Sequence, residues 1–211
     1  MSRRMGWRRV SAATLAGLRT RAKSTAAKPT KTSRPVMGAP PLRLRVLAGA
    51  EPIRFLGIDP GSRLLGFALL EQTGGKLRAL EYGVLKATGS NYVERLAQLS
   101  GELGALIPRL NPDEVAIERA FVHKNPDSAL KLGQARGMVM THCFGLHLPI
   151  FEYTPRLVKQ SVVGSGAADK TQVQKMVTVL LNLSTRPPVD AADACAVAIC
   201  HSHGRLLRGV L

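Results

Sequence analysis

Acidic residues are missing from the first 50 positions, where 12 Lys and Arg stand without a single Asp or Glu. That stretch is rich in Ala, Ser, Thr and Pro, cannot bury a core, and reads as a mostly disordered extension. Three readings of residues 1–50 stay open: a DNA-contacting arm, an organelle transit peptide, and a dispensable tail ahead of a translation start at Met37 or beyond. Aromatic residues are also scarce, at 4%, so the core that a 45% hydrophobic composition permits must be built from Leu, Val, Ile and Ala. Cysteine occurs only at 143, 195 and 200, with no CxxC pair. This argues against a disulfide framework or a zinc ribbon and favours a reducing, cytoplasmic setting. No apolar run reaches the roughly 18–20 residues of a membrane span, and no secretory signal is visible.

The formal net charge is +16, yet most of it belongs to the extension: 18 of the 30 basic residues face all 14 acids over residues 51–211, leaving that body at +4. A basic chain favours polyanion partners through phosphate contacts and counterion release, but for the body alone composition supports this only weakly. The length of 211 residues suits one globular domain plus an extension. The expected division is 1–50 extension, 51–204 folded domain and 205–211 tail.

Within the body, Phe55 to Asp59 is a short apolar run ending in an acid, followed by the turn Pro60-Gly61-Ser62 and a second run, Leu64 to Leu70. Gly74-Gly75 marks another turn before Leu77 to Leu85, which predicts a three-strand antiparallel meander. Val93, Leu96, Leu99, Leu103, Leu106 and Leu110 then recur at helical spacing, predicting a helix over 91–109. A strand over Glu114–Glu118, a helix over Ser128–Leu146, a strand over Leu148–Tyr153 and helices over Lys170–Leu181 and Asp190–His201 complete the pattern. The order β-β-β-α-β-α-β-α-α indicates an α/β fold with a five-stranded mixed sheet flanked by helices.

Four acids occupy telling positions. Asp59 ends the first strand, Glu118 ends the fourth, and Asp190 and Asp193 lie three apart on one face of the last helix. Carboxylates gathered from three elements at one sheet edge would repel one another and raise their own pKa values. Hard oxygen ligands of this kind suit Mg²⁺ or Mn²⁺, and a two-metal site would activate water for phosphodiester hydrolysis. Each acid also has a plain structural reading. Asp59 could form the turn, Glu118 could pair with Arg119, Asp190 could cap the helix, and Asp193 could favour its dipole.

The same residues resemble the RuvC family of Holliday junction resolvases. The resemblance is carried by Leu56-Gly57-Ile58-Asp59-Pro60-Gly61-Ser62-Arg63, by Ala116-Ile117-Glu118 with Phe121 and Lys124-Asn125, and by the run Ser128 to Gly137. It continues through Tyr153, Val158-Lys159-Gln160, Val163-Gly164, Lys170, Gln172-Val173-Gln174 and Asp190-Ala191-Ala192-Asp193-Ala194, covering 53–203. The extension at 1–50 departs from the family pattern. The resemblance implies an RNase H-like fold, a homodimer with one active site per subunit, and Mg²⁺-dependent cleavage (Mn²⁺ as a substitute, with two ions per site). The cuts would fall in two opposed strands and leave 5′-phosphate ends. It implies that Asp59, Glu118, Asp190 and Asp193 are metal ligands and that Lys159 and Lys170 act near the scissile phosphate. Phe121 would stack on bases at the crossover, Arg63 and Lys124 would contact DNA, and the RuvA–RuvB branch-migration complex would be a partner.

The helix over Ser128–Leu146 carries small and apolar residues at helix spacing and reads as a dimer helix or an ordinary core helix. His201 and His203, two apart, read as surface residues or partners of a helix C-terminus rather than metal ligands. A nucleotide-binding protein of the actin and sugar-kinase type would share Gly57-Ile58-Asp59 with Gly61-Ser62 and Gly66 but needs a second phosphate hairpin, which is not seen. A YqgF-type nuclease would share only the opening signature, and a non-catalytic junction-binding module would lack one of the acids.

Overall fold

The computed structural model describes residues 51–119 and 125–208, with side chains through Arg205. Residues 1–50, Phe121 and Lys124, with the expectations attached to them, lie outside the described residues. Five strands form one sheet: β1 (Ile53–Asp59), β2 (Leu64–Thr73), β3 (Lys76–Lys86), β4 (Glu114–Glu118) and β5 (Ile150–Tyr153), in the order β3-β2-β1-β4-β5. β1, β2 and β3 pair antiparallel as the expected meander, while β4 runs parallel to β1 and β5 parallel to β4. At the β2–β3 turn Thr73 pairs with Lys76, and both intervening residues, Gly74 and Gly75, have positive φ (54° and 86°). A two-residue hairpin loop of this kind needs positive φ at both positions, which is why glycine occupies them.

Side chains alternate across the sheet, and each face has its own core. Leu56, Ile58, Val115 and Ile117 pack with Leu99, Leu103 and Ile107 of α1 (Tyr92–Leu110), and with Val139 and Cys143 of α2 (Pro126–Gly145). The opposite face is covered by the alanine-rich α5 (Val189–Arg208), flanked by α3 (Pro155–Val163) and α4 (Lys170–Leu180). Cys143, Cys195 and Cys200 are free thiols buried in these cores. The helix α1 starts where Asn91 accepts a hydrogen bond from the Glu94 backbone. Its apolar stripe is buried from Leu99 onward, whereas Val93 in the first turn is exposed.

Two elements differ from the sequence expectation. The helix α3 went unforeseen because it has only nine residues, and its buried positions, Val158 and Val162, amount to a single i,i+4 pair. Its punctuation was present: Thr154 caps it, Pro155 opens it, and Gly164 closes it with φ 82°. The last helix, α5, runs seven residues beyond His201, so the boundary expected at 204 falls inside it.

This longer helix corrects the reading of His201 as a surface or helix-end residue. His201 is 1% exposed, with Nε2 2.7 Å from Glu114 Oε2 and Nδ1 2.7 Å from the Tyr153 hydroxyl. Arg205 Nε, also buried, donates to Glu114 Oε1 at 3.1 Å. His203 is exposed, beside Ser161, as the sequence reading had it. Burial pushes the Glu114 carboxyl up, but His201 and Arg205 outweigh it and hold its pKa below the ordinary glutamate value. A depressed carboxylate stabilises the fold above the unfolded pKa and loses that contribution as pH falls through the folded value. Glu114→Ala removes the carboxylate that a buried arginine and histidine share, and should lower stability by about 3–5 kcal/mol in urea titration. A loss under about 1 kcal/mol would show that the network is not a stabilising element.

Candidate active site

The alternation that builds the two cores also sets the first two acids. Asp59 is two residues beyond Gly57 and Glu118 is two beyond Ala116, so both face α5. Ile58 and Ile117 are register partners on parallel strands, and each is followed by one of the acids. Asp59 and Glu118 are thereby side by side at the C-terminal ends of β1 and β4, the edge of an α/β sheet where ligand sites form.

The other two acids arrive on the first turns of α5, and glycine permits it. A Cβ on Gly66 would lie 2.0 Å from the Asp190 carbonyl oxygen, and one on Gly57 would lie 2.2 Å from the Ala194 carbonyl oxygen. These two strand glycines, with the alanines of α5, let the helix backbone lie directly against β1 and β2. Asp190 is the second residue of α5 and not its cap, and Arg119 forms no ion pair with Glu118 among the described residues, so two of the plain readings fall away.

Asp59, Glu118 and Asp193 line one cleft of about 650 Å³ together with Lys159, Lys170 and Arg156. Asp190 is off the cleft wall, though its charge is felt by Asp59 and Lys170. Lys170 Nζ donates to Asp193 Oδ2 at 3.1 Å; the lysine side chain is 69% exposed and the aspartate 19%. Arg63 lies exposed in the β1–β2 turn and does not line the cleft.

The carboxylates share one electrostatic field. Burial first, then the charges of Glu118, Asp193 and Asp190, push Asp59 up to about 7, with Lys170 pulling the other way. Glu118 is likewise raised, by burial and then by Asp193, against Lys170 and Lys159. For Lys170, burial disfavours the ammonium, but its bond to Asp193 and the nearby acids outweigh that and hold its pKa above the ordinary lysine value. Among the described residues no three His, Cys, Asp or Glu groups stand together as a ready-made metal cage. What the cleft offers a cation is a donor set purely of carboxylate oxygens, with no imidazole or thiol in its lining. That chemistry fits a hard divalent ion and not zinc.

The RuvC family model, described as crossover junction endodeoxyribonuclease RuvC, matches residues 55–201. The chain belongs to the RuvC family. It is 51% identical over 148 residues to crossover junction endodeoxyribonuclease RuvC of Histophilus somni, which covers 70% of this chain and 78% of the relative. It is equally similar to the Tolumonas auensis protein of the same name, over 70% of this chain and 86% of that one. Among solved structures, T. thermophilus RuvC in complex with Holliday junction substrate superposes with a TM-score of 0.67 at 33% identity, covering 73% of this chain and 96% of that one. The five-stranded mixed sheet is thus the RNase H-like fold of the RuvC family.

Sequence reasoning singled out the acids and both lysines but passed over Gly57 and Gly66 as structural determinants of the site. The available signal was glycine inside two otherwise apolar strands, which marks close approach of another backbone. Arg156 was also missed, because the helix that carries it was not foreseen.

Proposed function

We propose that this chain is a structure-selective endonuclease of recombination and repair that resolves Holliday junctions by paired nicks in two opposed strands. The observation that carries this reading is the convergence of Asp59, Glu118 and Asp193 with Lys159 and Lys170 in one cleft. In this reading Asp59, Glu118, Asp190 and Asp193 hold Mg²⁺, two ions per site, with Mn²⁺ able to replace it. Divalent ions bound there would supply Lewis acidity and lower the pKa of a coordinated water. The chain's own groups do the rest. Asp59 and Glu118 fix the position of the attacking water relative to the phosphate. Lys170, bound to Asp193, keeps that carboxylate oriented while its exposed ammonium meets the phosphate. Lys159 offsets charge that grows on the phosphate oxygens in the transition state.

Phe121 would stack on bases exposed at the crossover, worth about 1–3 kcal/mol per base, with Arg63 and Lys124 on the DNA backbone. Two opposed cuts require two sites, hence a homodimer. The exposed Leu130 (63%) and Phe144 (72%) on α2 support a partner surface on that helix. The RuvA–RuvB complex is the motor that family membership implies.

Gel-shift and cleavage assays on a four-way junction and a linear duplex, in Mg²⁺ and in EDTA, test the reading. Full-length chain and a chain starting near Glu51 should both select the junction and cut it only with Mg²⁺, and light scattering should give a dimer. Binding without cleavage in every metal would instead make this a junction-binding module. Lys170→Met should slow single-turnover cleavage by about 10²-fold with junction binding largely kept; unchanged cleavage would remove Lys170 from the mechanism.

A further inference from the structure

The charge of Arg156 answers no acidic residue of its own helix. It sits in the first turn of α3, which contains no acidic residue. A cation at a helix N-terminus opposes the macrodipole and weakens the helix. Arg156 is an exposed residue, and among the described residues its guanidinium makes no ion pair or side-chain hydrogen bond. Three carboxylates nonetheless line the same cleft, and one of them, Asp193, is paired with Lys170 instead.

The surroundings make room for this side chain. A Cβ on Gly166 would come 2.6 Å from Arg156 Cγ and 3.3 Å from Arg156 Nε. Gly166 does not have the left-handed backbone that would itself call for glycine. A side chain at Gly166 would meet both the stem of Arg156 and, at 3.3 Å, its carbonyl oxygen. The arginine is thus laid along a slot at the cleft edge. Arg156 and Lys159 are three apart on α3, so they share a face, and both reach the cleft wall.

We infer that Arg156 grips a backbone phosphate of the strand being cut, next to the scissile one. The inference deepens the nuclease reading and rests on it. A planar guanidinium matches two phosphate oxygens at once, and a slot that fixes its stem lowers the ordering cost of that grip. Lys159 and Lys170 then face the scissile phosphate while Arg156 sets the register of the strand.

The test measures junction binding in EDTA across a salt series, for the full chain and for Arg156→Met, Arg156→Lys and Gly166→Ala. Arg156→Met should weaken binding by about three- to tenfold at moderate salt and reduce the slope of log K against log salt by about 1, the loss of one phosphate contact. Its melting temperature should stay the same or rise, since an unfavourable helix charge is removed. Arg156→Lys should restore the slope but not the full affinity. Gly166→Ala, which displaces the arginine stem, should weaken binding in the same direction. Wild-type affinity and slope in Arg156→Met would overturn the inference while leaving the nuclease reading intact. If the unaltered chain shows no preference for junctions over duplex, the nuclease reading fails and the inference falls with it.

Discussion

Asp59→Asn should abolish junction cleavage, by about 10³-fold or more, and at the same time make the metal-free protein more stable at pH 8. Both effects follow from one environment. Burial and three neighbouring carboxylates raise Asp59 from 3.8 to about 7 in the folded chain. Each pKa unit corresponds to about 1.4 kcal/mol of differential interaction. The group is neutral in both folded and unfolded chains below its unfolded pKa, so it costs nothing there. As pH rises from about 4 to above 7, the unfolded chain ionises first, and the folded chain carries an increasing penalty, on the order of 2–4 kcal/mol when complete. Asparagine removes that penalty. The gain in melting temperature in EDTA should therefore be full at pH 8 and absent near pH 3.5. Mg²⁺ should stabilise the unaltered protein by mass action on the folded state and the variant much less. Full cleavage by Asp59→Asn, or no stability gain at pH 8, would refute the role assigned to this acid.

Gly66→Ala should cost about 10²-fold or more in cleavage although it touches no reacting group. Its new Cβ would lie 2.0 Å from the Asp190 carbonyl oxygen, a backbone atom that cannot rotate away. Relief of that contact requires the first turn of α5 to lift from β2. Asp190 and Asp193 ride on that turn, and a displacement of about 1 Å in a catalytic constellation is enough for a 10²-fold loss. Overpacking should also destabilise the protein by about 1–3 kcal/mol. Gly101→Ala is the matched control: Gly101 lies inside α1 with nothing within 4 Å of its would-be Cβ. Alanine there should be neutral or slightly stabilising and should leave cleavage unchanged. Equal cleavage by Gly66→Ala and the unaltered chain would show that α5 is not held in place by this contact.

The sheet was legible in the sequence because short apolar runs such as Leu64–Leu70, bounded by turn residues such as Gly74-Gly75, follow from local chemistry. The long helix α1 was legible because its stripe repeats over five turns. The carboxylates were legible because strand ends and an i,i+3 pair are positions that topology brings together. What stayed hidden depends on distance in space. A nine-residue helix has too few turns to display a period, so α3 and with it Arg156 were passed over. His201 looked like a surface histidine because its partner Glu114 is 87 residues away and the helix end was placed too early. Gly57 and Gly66 were seen as letters of a motif, and only the closeness of α5 shows why no side chain fits there.

Mapping the nicks decides whether this chain resolves junctions by paired cleavage. A four-way junction with each strand end-labelled in turn would be incubated with the protein and Mg²⁺, then with EDTA, and the products treated with ligase. Nicks should fall at symmetric positions in two opposed strands with ligatable ends, and none should appear in EDTA or in linear duplex. Nicks scattered over all strands and over duplex, or cleavage that persists in EDTA, would contradict that mechanism.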